Sequence, residues 1–158
     1  MKRTRRQCGV TMVELVVVVA IIGVLAAATI ITLIGLQTQV KRKAAKDLLL
    51  TLDTALDEYH QAVGHYPVIA GVPGTKVSEQ LWLELEKVEV SAQILHRINA
   101  KYTHDRLVGT TRLRGLIDPW GQYLDYRMES SGYPMLTSSG PDRKLGTGDD
   151  ITNLEGQS

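Results

Sequence analysis

Gly9-Val10-Thr11-Met12-Val13-Glu14, followed by an almost unbroken apolar run from Leu15 to Leu36, is the stretch whose reading decides the fold of this chain. A short basic leader, Met1 to Gly9, stands ahead of it and carries Lys2, Arg3, Arg5 and Arg6. Glu14 is the one charge between Arg6 and Lys41. A carboxylate in a membrane-length segment costs roughly 2.5–3.5 kcal/mol at bilayer depth, so its presence points to a purpose. Leu15 to Leu36 is 22 residues. As a helix it measures roughly 33 Å at about 1.5 Å per residue, enough to span a bilayer.

The residues alone leave several readings of this segment open. Thr11-x-x-Glu14 ahead of an apolar run is a capping box, in which two side chains satisfy free N–H groups at a helix start. A basic region, an apolar region and Ala26-Ala27-Ala28 also fit a cleaved secretory signal, although the apolar run continues past that point. A plain signal anchor is the remaining possibility.

Gly9, Thr11 and Glu14, with the run Leu15 to Ala26 behind them, resemble the class III signal of type IV pilins and pseudopilins. The resemblance implies cleavage between Gly9 and Val10 by a prepilin peptidase and methylation of the new N-terminus. It also implies that Glu14 pairs with the terminal amine of a neighbouring subunit during filament assembly. The family usually has Phe where this chain has Val10, and often a proline where this chain has Ile31.

Composition is consistent with export. The chain has 18 basic and 17 acidic residues; loss of residues 1–9 removes four basic residues and no acid, taking the net charge from +1 to −3. Nothing in that balance suggests a nucleic-acid partner. The single cysteine, Cys8, lies in the leader, so a processed chain forms no internal disulfide. Positive residues flank the apolar run on both sides, which makes the positive-inside count a near tie. The resemblance, rather than charge, places the N-terminus in the cytoplasm and the rest beyond the inner membrane.

The helix is expected to continue past the membrane. Leu48, Leu52, Ala55, Leu56, Tyr59 and Val63 recur at spacings of three and four, an amphipathic stripe. Gly64-His65-Tyr66-Pro67 forms a natural stop. One helix from Thr11 to Val63 would be roughly 80 Å long, and its apolar lower face requires the C-terminal part to pack onto it. The expected organisation is leader 1–9, transmembrane and assembly half-helix 10–36, amphipathic half-helix 37–63 and globular periplasmic domain 64–158.

Within that domain a second helix is expected with Ser78 as its cap and Leu81, Trp82, Leu85 and Val88 buried, then helix over Ala92 to Ile98. Asn99 to Arg114 reads as a polar, irregular insert. Asp118-Pro119-Trp120-Gly121 reads as a type I turn, with Trp120 as a core anchor. A strand follows, with Leu124, Tyr126 and Met128 on its buried face, then a turn at Ser130-Ser131-Gly132 and a partner strand from Tyr133 to Thr137. Pro134 suits an edge or strand-initial position.

This order, closed by Ser139-Gly140-Pro141-Asp142 and Gly146-Thr147-Gly148-Asp149-Asp150, resembles the C-terminal half of the major pseudopilin of the type II secretion system. Residues 68–114 carry no such resemblance. The closing loop looks like that family's calcium loop. Independently, Asp142, Asp149 and Asp150 supply the hard oxygens calcium prefers, and the glycines let carbonyls turn inward. The alternative is a solvated acidic turn. The expected ligands are Asp142, Asp149 and Asp150 with oxygens near Leu136 and Ser139. His60, His65, His96 and His104 have no metal spacing. Lys41 to Lys46 and the acids Asp47, Asp53, Asp57 and Glu58 suit either salt bridges between subunits or a solvated helix face.

No nucleophile elbow, P-loop, zinc-protease signature or catalytic carboxylate pair occurs, so an enzyme has no positive support. The expectation is an α+β pilin fold: a long N-terminal helix on a small antiparallel sheet with a calcium-type loop. Its function would be that of a structural subunit of a type II secretion pseudopilus. The implied partners are copies of itself, other pseudopilins, the prepilin peptidase, the inner-membrane assembly platform and the membrane. A type IV pilin subunit and a membrane-anchored periplasmic binding module are the alternatives.

Overall fold

The computed structural model describes residues 12–69, 71 and 74–154, with the side chains of 27–35 left aside. The cleavage junction Gly9–Val10 and the capping residue Thr11 lie outside the described residues. Helix α1 is Met12–Val63, and the chain divides into two compact units, 1–38 and 39–158.

In the first unit the described side chains of 12–26 are all exposed, including Val13, Val16, Val19, Ile22 and Leu25. A helix segment that is apolar on every face is stable in lipid or against other helices, not in water. Among the described residues no helix is long and apolar enough to cross a membrane. The span expected over 10–36 falls in part on residues 27–35, whose side chains lie outside the description.

The second unit is built on the lower half of α1. Ala45, Leu48, Leu49, Leu52, Ala55, Leu56 and Tyr59 are buried at helical spacing. They form one core with Leu81, Trp82 and Leu85 of α2 (Val77–Glu86) and Leu95 of α3 (Glu89–Leu95). Val63, expected in the buried stripe, is 40% exposed; it stands in the last turn, where Gly64 (φ 88°) ends the helix and its N–H bonds the His60 carbonyl.

The start of α2 differs from expectation. Lys76, not Ser78, is the N-cap. Ser78 lies within the first turn, fully buried, and the cap is instead supplied from inside the helix by Glu79, whose carboxylate accepts the Lys76 N–H at 2.7 Å. The helical break also falls earlier than expected, at Lys87–Val88. Ser91 sits inside α3, donating its hydroxyl to the Leu85 carbonyl at 2.5 Å.

Residues 99–114 are not an irregular insert. After a short 3-10 turn at Ala100–Tyr102, β1 (Thr103–Val108) and β2 (Thr111–Leu116) pair antiparallel, Thr103 opposite Leu116 and Val108 opposite Thr111. Gly109, with φ 62°, occupies the first position of the two-residue turn, a position that favours glycine. The strands are too polar to show alternation, because their charges are paired across the hairpin. Asp105 accepts Arg112 Nη2 and Arg114 Nε, each at 2.7 Å. Arg106 reaches Glu79 of α2 through Nε at 2.9 Å and Nη2 at 2.8 Å. Glu79 is fully buried. Gly115 is required where β2 crosses α2: an added Cβ would stand 2.8 Å from Tyr123 Cε1 and 2.9 Å from Glu79 Cγ.

The turn over residues 118–121 forms as expected, with the Gly121 N–H on the Asp118 carbonyl at 3.0 Å, and Trp120 enters the core. The second sheet has the order β3-β4-β5, all antiparallel. Its strands are β3 (Asp125–Met128), β4 (Pro134–Ser138) and β5 (Ile151–Thr152). Leu124 and Tyr126 are buried, but Met128 is 46% exposed; it pairs with Pro134 at the end of the ladder. The molecule is therefore α+β, as expected, with two small antiparallel sheets in place of one.

Candidate functional site

Two regions carry the expected functional residues. The first is the start of α1. Glu14 lies in the first described turn of that helix and is exposed, as are its apolar neighbours. A carboxylate near a helix N-terminus is favoured by the helix dipole. It is also the only charge among the described residues 12–26.

The second region is the loop from Ser139 to Asp150, which joins β4 to β5. Its two limbs cross at Gly140 and Asp149. Gly140 has φ 64°, and a Cβ there would stand 2.3 Å from the Asp149 carbonyl oxygen, so only glycine fits the crossing. Asp149 accepts the Asp142 N–H at Oδ2 (3.0 Å) and the Thr147 hydroxyl at Oδ1 (2.6 Å). These two bonds, the hydroxyl foremost, hold its carboxyl below the ordinary range. Asp150 accepts the Gly146 N–H at Oδ2, 2.7 Å. Its other oxygen, Oδ1, is buried with no hydrogen-bond partner. Arg143 and Lys144 both face solvent, so their charge is not folded into the loop.

The structure thus brings Asp149 and Asp150 together with the loop backbone and holds Asp142 less closely. Asp142 is exposed, and its Oδ1 accepts the Lys144 N–H at 2.8 Å. The Leu136 carbonyl accepts the Asn153 N–H at 3.3 Å as part of the sheet. Ser139 is buried, with its hydroxyl 3.4 Å from Asp118 Oδ2. Among the described residues no group of three His, Cys, Asp or Glu side chains stands ready to hold a metal. Any ion here would draw on two carboxylates plus carbonyl and hydroxyl oxygens, a donor set that suits calcium. The partnerless Asp150 Oδ1 fits that chemistry, because a buried charged oxygen without a donor is costly unless a cation compensates it.

The acids of α1 serve the chain itself more than the sequence suggests. Asp53 is buried and accepts Asn153 Nδ2 at 2.7 Å. Asn153 also accepts the Leu136 N–H at Oδ1, 2.9 Å, so one side chain ties α1 to β4 just beyond the loop. Asp57 accepts the Tyr66 hydroxyl at 3.1 Å. Burial and this carboxylate push the Tyr66 hydroxyl up to about 12. Neither Asn153 nor its pairing with Asp53 was visible in the sequence, because the two lie 100 positions apart.

A helix with an uncovered apolar N-terminal segment and one carboxylate in it, packed lower down on a small α+β domain, defines the pilin-like class of filament subunits. Residues 4–30 match the family described as prokaryotic N-terminal methylation motif. Over its length the chain is similar to the type II secretion system core protein G of Escherichia coli (strain K12). The two are 34% identical over 157 residues, covering 97% of this chain and 94% of that protein. The protein of the same name from Pectobacterium carotovorum subsp. carotovorum is 32% identical over 151 residues, 94% of this chain and 85% of the relative. That of Klebsiella michiganensis is 30% identical over 154 residues, 96% and 95%. No solved structure matches the chain. The chain belongs to the type II secretion system core protein G family.

Proposed function

We propose that the chain is a structural subunit of a type II secretion pseudopilus, processed between Gly9 and Val10 and assembled through α1. The exposed apolar helix at 12–26 carries this reading, since it needs lipid before assembly and other subunits after it. In this account the prepilin peptidase removes residues 1–9 and methylates Val10. The subunit then waits in the inner membrane with its globular domain in the periplasm. Glu14 meets the terminal amine of a neighbouring copy as the helices stack, with other pseudopilins and the assembly platform as further partners. No catalytic step is assigned to it. The test is recovery of the processed chain in helical filaments from a host with an active secretion apparatus; a chain that stays monomeric there contradicts the reading.

The loop at 139–150 is proposed to hold calcium through Asp149, Asp150 and neighbouring backbone and hydroxyl oxygens, with Asp142 fixing the turn. Calcium supplies charge compensation that locks the loop between β4 and β5; the protein's part is to hold the oxygens in place. Calcium at a hundredfold above its Kd contributes about 2.7 kcal/mol to folding. That corresponds to a rise in Tm of roughly 10 °C for the unit 39–158, at about 2.1 cal/mol/K of unfolding entropy per residue. The expected result is that chelation lowers the Tm of the parent by that amount and leaves Asp150→Ala unchanged. Equal melting of the parent with and without chelator overturns the calcium assignment.

A further inference from the structure

Asp118 is buried, and its carboxylate is bonded on both oxygens by neutral donors from two parts of the chain. Oδ1 accepts the backbone N–H groups of Trp120 and Gln122, each at 2.9 Å. Oδ2 accepts the hydroxyl of Ser138 at 2.8 Å, with that of Ser139 at 3.4 Å. The first pair belongs to its own turn, which a serine or asparagine in the same place would also stabilise. The second pair lies 20 and 21 residues further along, at the end of β4 and the root of the loop.

The connection continues from there. Ser138 Oγ accepts the Gly140 N–H at 3.3 Å. Gly140 is the residue whose backbone passes so close to the Asp149 carbonyl that a Cβ has no room. One relay therefore runs from Asp118 through the Ser138 hydroxyl to the crossing of the two loop limbs. A turn residue alone needs no such reach, and hydroxyls shared this way hold a loop limb in one place.

We propose that Asp118 is a positioning residue for the cation loop, fixing Ser138 and Ser139 and, through Ser138, the limb that meets Asp149. The proposal rests on the calcium reading of that loop. Carboxylates that orient metal-binding groups from outside typically change affinity roughly 10- to 100-fold when altered. Asp118→Asn keeps two acceptor bonds at one oxygen and sets an amide NH2 against the serine hydroxyls. Ser138→Ala removes the relay to Gly140 and leaves Asp118 intact.

The experiment is calcium titration by calorimetry on the full processed chain in detergent micelles, for the parent, Asp118→Asn and Ser138→Ala. Amide hydrogen exchange at 139–151 and across α2 accompanies it. The expected result is that both variants bind calcium roughly tenfold or more weakly, with faster exchange in 139–151 and unchanged exchange in α2. Parent-like affinity in both variants overturns the positioning role and leaves the calcium reading standing. A parent that binds no calcium removes both. Should Asp118→Asn exchange rapidly throughout α2 as well, the fold has loosened and Ser138→Ala decides: parent-like affinity in that variant overturns the role.

Discussion

Glu14→Ala is expected to leave the chain processed and in the membrane but to strip it of filament assembly. The described helix around Glu14 offers only apolar groups at 12–26, so nothing else there supplies a charge. Such groups pack equally well in many registers, and a single charged group among them selects one. Each loss of about 1.4 kcal/mol at a subunit contact lowers its association constant tenfold. Because a filament repeats the contact at every subunit, recovery of sheared filaments should fall more than about tenfold. Glu14→Gln separates two roles. A capping residue at this position is served by glutamine as well as by glutamate, whereas pairing with an amine needs the charge. The expected result is that the glutamine variant also fails to assemble. Parent-like filament yield from either variant removes the assigned role.

Arg106→Met should destabilise the globular part by about 2–3 kcal/mol at neutral pH. Removing one partner of a fully buried pair costs about 3–5 kcal/mol; the smaller figure applies because the Arg106 side chain is 33% exposed while Glu79 is buried. In the parent, the Arg106 hydrogen bonds foremost hold the Glu79 carboxyl below its ordinary value. A depressed carboxyl contributes stability above its unfolded pKa, and that contribution is lost as pH falls through the folded pKa. In the variant the same buried carboxyl loses the Arg106 bonds and charge, keeps only the Lys76 N–H bond and the weaker influence of the Lys76 charge, and shifts toward its protonated form. The difference in Tm between parent and variant is therefore largest near pH 7 and shrinks below about pH 4. The neighbouring Asp105, held at about 2 chiefly by its Arg114 hydrogen bond, is common to both chains and cancels. A difference in Tm that does not change between pH 7 and pH 3.5 contradicts this account of the hairpin.

The elements legible in the sequence are those whose signal is local. The stripe from Leu48 to Tyr59, the turn at Asp118-Pro119-Trp120-Gly121 and the Gly132 turn each contain their own reason, periodicity or a glycine at the demanded position. The hairpin β1–β2 was not legible because its partners are charges across the strands and on α2, not an alternating apolar face. Gly109 followed by Thr110 was the one signal that could have found it. The cap of α2 was missed for a similar reason: Glu79 serves both the Lys76 N–H and Arg106, 27 positions away. In the candidate loop, the glycines and aspartates marked the region, and the structure sorts them. Asp149 and Asp150 are half-buried, Asp142 is exposed, and Asp118, which accepts the Ser138 hydroxyl at the root of the loop, lies outside the segment that composition singles out. The β5 pairing was invisible because two residues carry no period.

The central claim is that this chain enters a filament by pilin-type processing, and the intact mass of the protein extracted from membranes of a host with an active prepilin peptidase tests it most directly. The account predicts a mass lacking residues 1–9 and carrying one added methyl group. A full-length mass in that host, or a cut after Ala28, would contradict it.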